Sequence, residues 1–158
     1  MKQIANWALN VATMRGASYA DVRVVSQRSR GLSTKNGKVG SASDSESVGM
    51  SVRVLAEGAW GFAAAEDLSR AGVEATAARA VEIARASAQV KEEDVRLAPE
   101  KPVTAEWMTP HTIDPFSISV EQNIALLLSV DAELRAVAGI TLAESNLNFN
   151  REEQWFVS

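Results

Sequence analysis

The stretch "SVGMSVRVLAEGAWGFAAAEDLS", Ser47–Ser69, decides how the rest of the chain is read. Val48, Met50, Val52 and Val54 alternate with Gly49, Ser51 and Arg53, the period-two pattern of a strand with one buried face. Glu57-Gly58 comes next, and glycine accepts the positive φ that a tight hairpin requires. The chain then returns through residues 59–65. Leu68 and Ser69 supply a staple residue and an N-cap for a following helix, with Val73 at staple spacing from Leu68.

Towards the N-terminus, Asn36-Gly37 is the strongest short signal for a second two-residue hairpin, pairing residues 32–35 with 38–43. Tyr19 to Gln27 reads as a separate strand, with Ala20, Val22 and Val24 opposite Asp21 and Arg23. The polar run "SASDSES" at 41–47 reads as a loop, a bulge or an exposed strand end. A first helix is expected from Lys2 to Arg15, with Ile4, Trp7, Ala8, Val11 and Met14 on one face and Gly16 ending it. Together these give a meander of about five strands.

Towards the C-terminus, residues 70–89 carry eight alanines, and Val73, Ala77, Val81, Ala84 and Ala88 form one face of a second helix able to lie close to a sheet. All four prolines, Pro99, Pro102, Pro110 and Pro115, fall within 90–118, which predicts a linker or a strap docked through Trp107, Met108 and Phe116. Ser119 and Gln122 form a capping box for a third helix, with Ile124, Leu127, Leu128 and Leu134 as its buried stripe and Gly139 at its close. Residues 140–149 read as a strand whose apolar phase changes near Ser145, and Asn150 to Glu153 as a turn into a last strand.

The fold class predicted is α+β, a mixed, largely antiparallel sheet of about five to seven strands with three helices packed on it. Residues 1–89 are expected to form an N-terminal domain, 90–118 the strap, and 119–158 a helix and strand pair. Because "QWFVS" ends on bulky apolar residues, the expectation is a piece of a longer protein, truncated at the start of a C-terminal domain.

The 158 residues include 16 Lys and Arg against 20 Asp and Glu, a net charge of −4. Residues 1–90 hold 11 basic and 8 acidic side chains, and residues 91–158 hold 5 and 12. Neither part has the concentrated basic face that nucleic acid needs, so no nucleic-acid partner is expected. No apolar run spans a membrane and no signal peptide opens the chain, so no membrane partner and a cytoplasmic location are expected. Arg23, Arg28, Arg30, Lys35 and Lys38 cluster around one hairpin, either guarding a sheet edge, the preferred reading, or meeting an anionic ligand.

Candidate chemistry is sparse. Cysteine is absent and His111, near Asp114, is the sole histidine, whereas a zinc site takes at least three protein ligands. No serine sits in a nucleophile elbow, no phosphate loop occurs, and paired carboxylates such as Glu92-Glu93 read as solvated charge. No catalytic, metal or cofactor-binding residue is therefore assigned. Arg53, Trp60 and Phe62 remain. They either contact a peptide or a partner domain, since aromatic residues and arginine concentrate at interfaces, or cover the sheet face on which the second helix packs, the preferred reading.

The ordered run "YADVRVVSQRSRGLSTKNGKVGSASDSESVGMSVRVLAEGAWGFAAAEDLS", followed by an alanine-rich helix and "DPFSISVEQNIALLL", resembles the N-terminal domain of the TldD/PmbA family, the modulators of DNA gyrase. The resemblance extends from about Tyr19 to Leu128. It implies a parent zinc metalloprotease that processes small or unfolded peptides and assembles as a homodimer or heterodimer. Its zinc motif, HExxxH with a further cysteine ligand, would lie in a C-terminal domain. No functional residue of the family transfers to a position here, and zinc is implied only for the full-length protein. The expected role is a non-catalytic domain that helps to form the peptide groove and the dimer, with its own C-terminal domain and peptide substrates as partners. The alternative is a protein-binding regulatory module of gyrase-modulator type, or a pseudoenzyme partner, without proteolysis.

Overall fold

A computed structural model describes residues 1–158. The element order is α1 (Lys2–Met14), β1 (Tyr19–Lys35), β2 (Lys38–Ala56), β3 (Ala59–Ala65), α2 (Arg70–Ala88), a 3-10 turn (Pro115–Ser117), α3 (Val120–Ala136) and β4 (Glu144–Val157). The four strands form one sheet in the order β3-β2-β1-β4. The α+β class holds, but the five to seven strands expected reduce to four.

The reduction has a physical cause in polar strand residues. The run at 41–47 is not a loop: Ser41 Oγ lies 2.7 Å from Ser33 Oγ, Ser43 donates to the Gly31 carbonyl at 3.3 Å, and Asp44 pairs with Arg28 and Arg30 across the strands. Side-chain pairing between neighbouring strands stabilises a polar ladder as apolar pairing does an oily one. Hence β1 and β2 each run unbroken through stretches that look like breaks. Residues 150–153 likewise continue β4 instead of turning.

Both predicted hairpin turns form. Asn36 and Gly37 have φ of 50° and 76°, and Glu57 and Gly58 have 52° and 74°, the pair of positive values that a type I′ turn requires.

The chain divides into two compact units, one of Met1–Ser26, Ser47–Pro102 and Glu152–Ser158, the other of Gln27–Glu46 and Val103–Arg151. In the first unit the core is built from Val22 and Val24 of β1, Met50, Val52 and Val54 of β2, and small residues on two helices: Ala5, Ala8 and Ala12 of α1 and Val73, Ala77, Ala80, Val81 and Ala84 of α2. Alanine-rich faces place the helix backbones close to their neighbours. Gly61 carries this furthest: a Cβ there would overlap the Ala80 carbonyl oxygen and sit 2.5 Å from the Ala84 nitrogen. Ser69 caps α2, accepting from Gly72 N at 3.2 Å. Met14, expected on the inner face of α1, is instead 87 % exposed, because the buried phase of that helix is Ala5, Ala8 and Ala12.

In the second unit the capping box of α3 is present in both directions, Gln122 N to Ser119 Oγ and Ser119 N to Gln122 Oε1, each at 3.2 Å. Its buried stripe differs from the leucine stripe expected. Asn123, Leu127 and Asp131 are buried, while Leu134 is exposed. The stripe is polar because Asp131 holds the first hairpin turn, its Oδ2 accepting from Gly37 N at 2.6 Å. Asn36 braces the same turn from the other side, with Ala143 N donating to its side chain and its own amide donating to Ala143 O, both at 2.9 Å.

Candidate functional site

Strand register in the first unit fixes which side chains share a face. β2 and β3 pair antiparallel with Leu55 opposite Trp60, Arg53 opposite Phe62 and Val54 opposite Gly61. Directly opposed residues point the same way, and successive ones alternate. Gly61 lies against α2, so Trp60 and Phe62 project from the other side of the sheet. The preferred expectation, that they cover the face where the second helix packs, is therefore corrected: β3 turns only Ala59, Gly61, Ala63 and Ala65 to that face.

On the face away from α2, Arg53 is fixed at three points. Its Nε and Nη2 lie 2.7 Å from Asp21 Oδ2, and its guanidinium stacks 4.8 Å from the centre of the Trp60 ring. Trp60 in turn meets Tyr19 edge-on at 5.9 Å. Asp21 is buried, and the hydrogen bond to it raises the pKa of Arg53 above its ordinary value. Beside this group Phe62 stands 56 % exposed. Further along, the Arg23 guanidinium lies 5.4 Å from the Phe156 ring. The structure thus brings Arg53 and Trp60 together and leaves Phe62 open beside them.

Tyr19 and Asp21 belong to this group and were not singled out from sequence. The phase of "YADVR" carried the signal, since Tyr19, Asp21 and Arg23 alternate with Ala20 and the core residues Val22 and Val24. Next to the group, β3 is the last strand of the sheet, so its outer main-chain groups have no strand partner. An open hollow of about 380 Å³ lies at its end, lined among others by Gly49, Met50, Ala64 and Glu66.

Within the basic cluster Arg28 and Arg30 share one carboxylate, and Lys35 takes another. Arg28 Nε and Nη2 reach the two oxygens of Asp44 at 3.0 Å, and Arg30 Nε and Nη2 reach Asp44 Oδ2 at 2.9 and 2.8 Å. Hydrogen bonds from Arg28 and then Arg30 pull the Asp44 carboxyl down to about 2. Lys35 pairs with Glu144 at 2.5 Å. The edge-guard reading does not describe Arg28 and Arg30, which sit on β1, an interior strand. Both cover the ring of Phe116, at 4.9 and 5.3 Å from its centre, and Arg151 of β4 covers it at 5.0 Å.

Of the three side chains expected to dock the strap, only Phe116 does so. Trp107 and Met108 are 81 % and 72 % exposed. His111 is exposed too, its Nδ1 3.1 Å from the Thr109 carbonyl, and no three His, Asp or Glu side chains converge as metal ligands. The donors of this chain do not fit a zinc ion. No helix is long and apolar enough to cross a membrane.

Comparison with known proteins places this geometry. The family model for PmbA/TldA metallopeptidase domain 1 matches residues 20–84. A metalloprotease of Methanocaldococcus jannaschii is 26 % identical over 110 residues, covering 70 % of this chain and 24 % of that protein. Among solved structures, a protein from Bacteroides thetaiotaomicron assigned as a modulator of DNA gyrase superposes with a TM-score of 0.76 at 16 % identity, over 99 % of this chain and 36 % of its own. TldE from Thermococcus kodakarensis superposes with a TM-score of 0.65 at 12 % identity, over 99 % and 34 %. The chain therefore spans about a quarter to a third of the length of the proteins it matches. Motif order and the family match over residues 20–84 liken this chain to the first domain of the PmbA/TldA metallopeptidases, and its fold is that of the gyrase-modulator and TldE structures.

Proposed function

We propose that this chain is the non-catalytic N-terminal domain of a TldD/PmbA-like zinc metalloprotease acting on small or unfolded peptides, and that it contributes one wall of the peptide groove. The observation that carries the reading is the position of β3. It is an edge strand with free outer main-chain groups, small side chains against α2, and Trp60 and Phe62 on the opposite face. An extended peptide can add to such an edge through main-chain hydrogen bonds, with alternate side chains falling beside Phe62 and Arg53. Zinc and the reacting groups belong, in this reading, to a C-terminal domain of the same polypeptide. A cytoplasmic location, a homodimer or heterodimer with a family member and contact with that C-terminal domain complete the proposal.

The test compares the 158-residue chain with the full-length protein for bound zinc, peptide cleavage and peptide binding. The chain alone is expected to bind an extended peptide without cleaving it, and Phe62→Ala is expected to weaken that binding. Stoichiometric zinc with hydrolysis in the chain alone would reject the proposal.

The other reading is a regulatory module that binds a protein partner without proteolysis, and the gyrase-modulator assignment of a similar structure is what favours it. A full-length protein that lacks HExxxH and cleaves no peptide would favour that alternative.

A further inference from the structure

A cluster independent of the metalloprotease reading lies within the unit of Gln27–Glu46 and Val103–Arg151. Three guanidiniums from two strands, Arg28, Arg30 and Arg151, converge on one aromatic ring, Phe116, with Phe149 edge-on to that ring at 6.1 Å. Three like charges so close together repel unless they are neutralised. Asp44 binds two of them and Asp114 binds the third.

The segment that fills the socket is read at several points. Asp114 Oδ1 accepts from Phe116 N at 3.0 Å, while its Oδ2 takes Arg151 Nη2. Ser117 Oγ donates to Asp114 O at 2.6 Å, and Arg30, only 7 % exposed, donates to Ile118 O at 3.0 Å. Ring, carboxylate two residues before it and carbonyl two residues after it are thus each matched by a fixed group. Upstream the contrast is sharp. Every residue from Val103 to Ile113 is exposed, and none belongs to a helix or strand.

We propose that Arg28, Arg30 and Arg151, with Asp44, form a peptide-recognition socket whose resident ligand is the chain's own Asp114-Pro115-Phe116, and that residues 103–113 are a releasable strap held by this latch. The ligand class is a short segment with a carboxylate two residues before an aromatic ring. Stacking supplies the grip, since each guanidinium over the ring face is attracted by its quadrupole. Unlike a purely ionic latch, such a contact is not abolished by salt.

The test uses the whole chain carrying Phe116→Ala, with limited proteolysis between residues 103 and 113 and the NMR signals of the Arg28, Arg30 and Arg151 side chains as readouts. Cleavage is expected to quicken by roughly ten- to a hundredfold, the equivalent of losing up to three such contacts, while amide protection in α2 and β3 stays as in the parent. A synthetic peptide of residues 112–119 added in trans is expected to shift the three arginine signals saturably while the cleavage stays fast, because the strap itself remains unlatched. The same peptide with alanine for phenylalanine is expected to leave those signals in place. Unaltered cleavage, no arginine shifts, or equal binding of both peptides would overturn the proposal. Should Phe116→Ala fail to fold, Asp114→Asn keeps the ring and weakens only the Arg151 pairing. Faster strap cleavage in that variant supports the latch, and parental cleavage refutes it.

Discussion

Replacing Gly61 by alanine tests the closest contact in the fold. Its φ is not in the left-handed region, so the substitution strains no backbone angle. On chain entropy alone it would stabilise the protein by about 0.4–1 kcal/mol. Sterics oppose this. The new Cβ would overlap the Ala80 carbonyl oxygen and lie 2.5 Å from the Ala84 nitrogen and 2.9 Å from the Ala84 Cβ. Normal carbon contacts begin near 3.5 Å, so α2 must retreat by roughly 1 Å, and a gap of that size forfeits about a quarter to a half of each dispersion contact it opens. The loss falls on Val73, Ala77, Ala80, Val81 and Ala84, all of them buried. Overpacking of this kind costs about 3 kcal/mol, and the entropy gain leaves a net loss of about 2 kcal/mol. A urea melt should show the midpoint falling at constant m, and a thermal melt a drop of roughly 4–8 °C. Two of the three close atoms are backbone, so adding Ala84→Gly should restore little. A Gly61→Ala chain at least as stable as its parent, or full rescue by Ala84→Gly, would refute the packing argument.

Three further outcomes follow from the two units. Phe62→Ala should change stability by less than about 0.5 kcal/mol, as exposed positions do, whereas Trp60→Ala should cost about 2 kcal/mol through its Tyr19 and Arg53 contacts. Equal losses in urea melts would contradict the face assignment. The Asp44 carboxyl is held at about 2 against an ordinary value of 3.8. Its contribution is therefore complete above pH 3.8 and disappears as pH falls through about 2, and Asp44→Asn should flatten an acid titration of stability in that window. Asp131→Ala removes the acceptor of the Gly37 amide and should cost about 1–3 kcal/mol, visible as faster hydrogen exchange at that amide.

Turn chemistry and caps were legible in the sequence because they depend on local conformation. Asn36-Gly37, Glu57-Gly58, Ser69 and the Ser119–Gln122 box each act within four residues, and each does what its side chains dictate. Strand length was not legible, because it depends on partners distant in sequence. Asp44 looks like a loop residue until Arg28 and Arg30 lie beside it, and Asp131 looks solvated until the hairpin turn reaches it. The candidate site divides in the same way. Trp60 and Phe62 share a face by alternation alone, but which face requires knowing that Gly61 admits α2. Asp21 was overlooked because a lone carboxylate on a strand has no meaning before Arg53 is opposite it.

The arrangement of charge supports recognition over reaction within this chain. A general acid or base works best with a pKa near the operating pH, which for a carboxylate means an upward shift from burial or a like charge. The shifts here run the other way. Asp44 and Asp114 are lowered first by hydrogen bonds from Arg28 and Arg151, Asp67 by Ser69, and Asp94 by Lys91. Each such carboxylate is a weaker base at neutral pH and a firmer hydrogen-bond acceptor, suited to holding a turn, a cap or a strap. The groups left without a fixed partner are of a different kind: the outer main chain of β3, the Phe62 ring beside it, and the exposed side chains of Trp107 and Met108. Main-chain donors and apolar surface are suited to binding an extended chain, which is the role proposed for this domain.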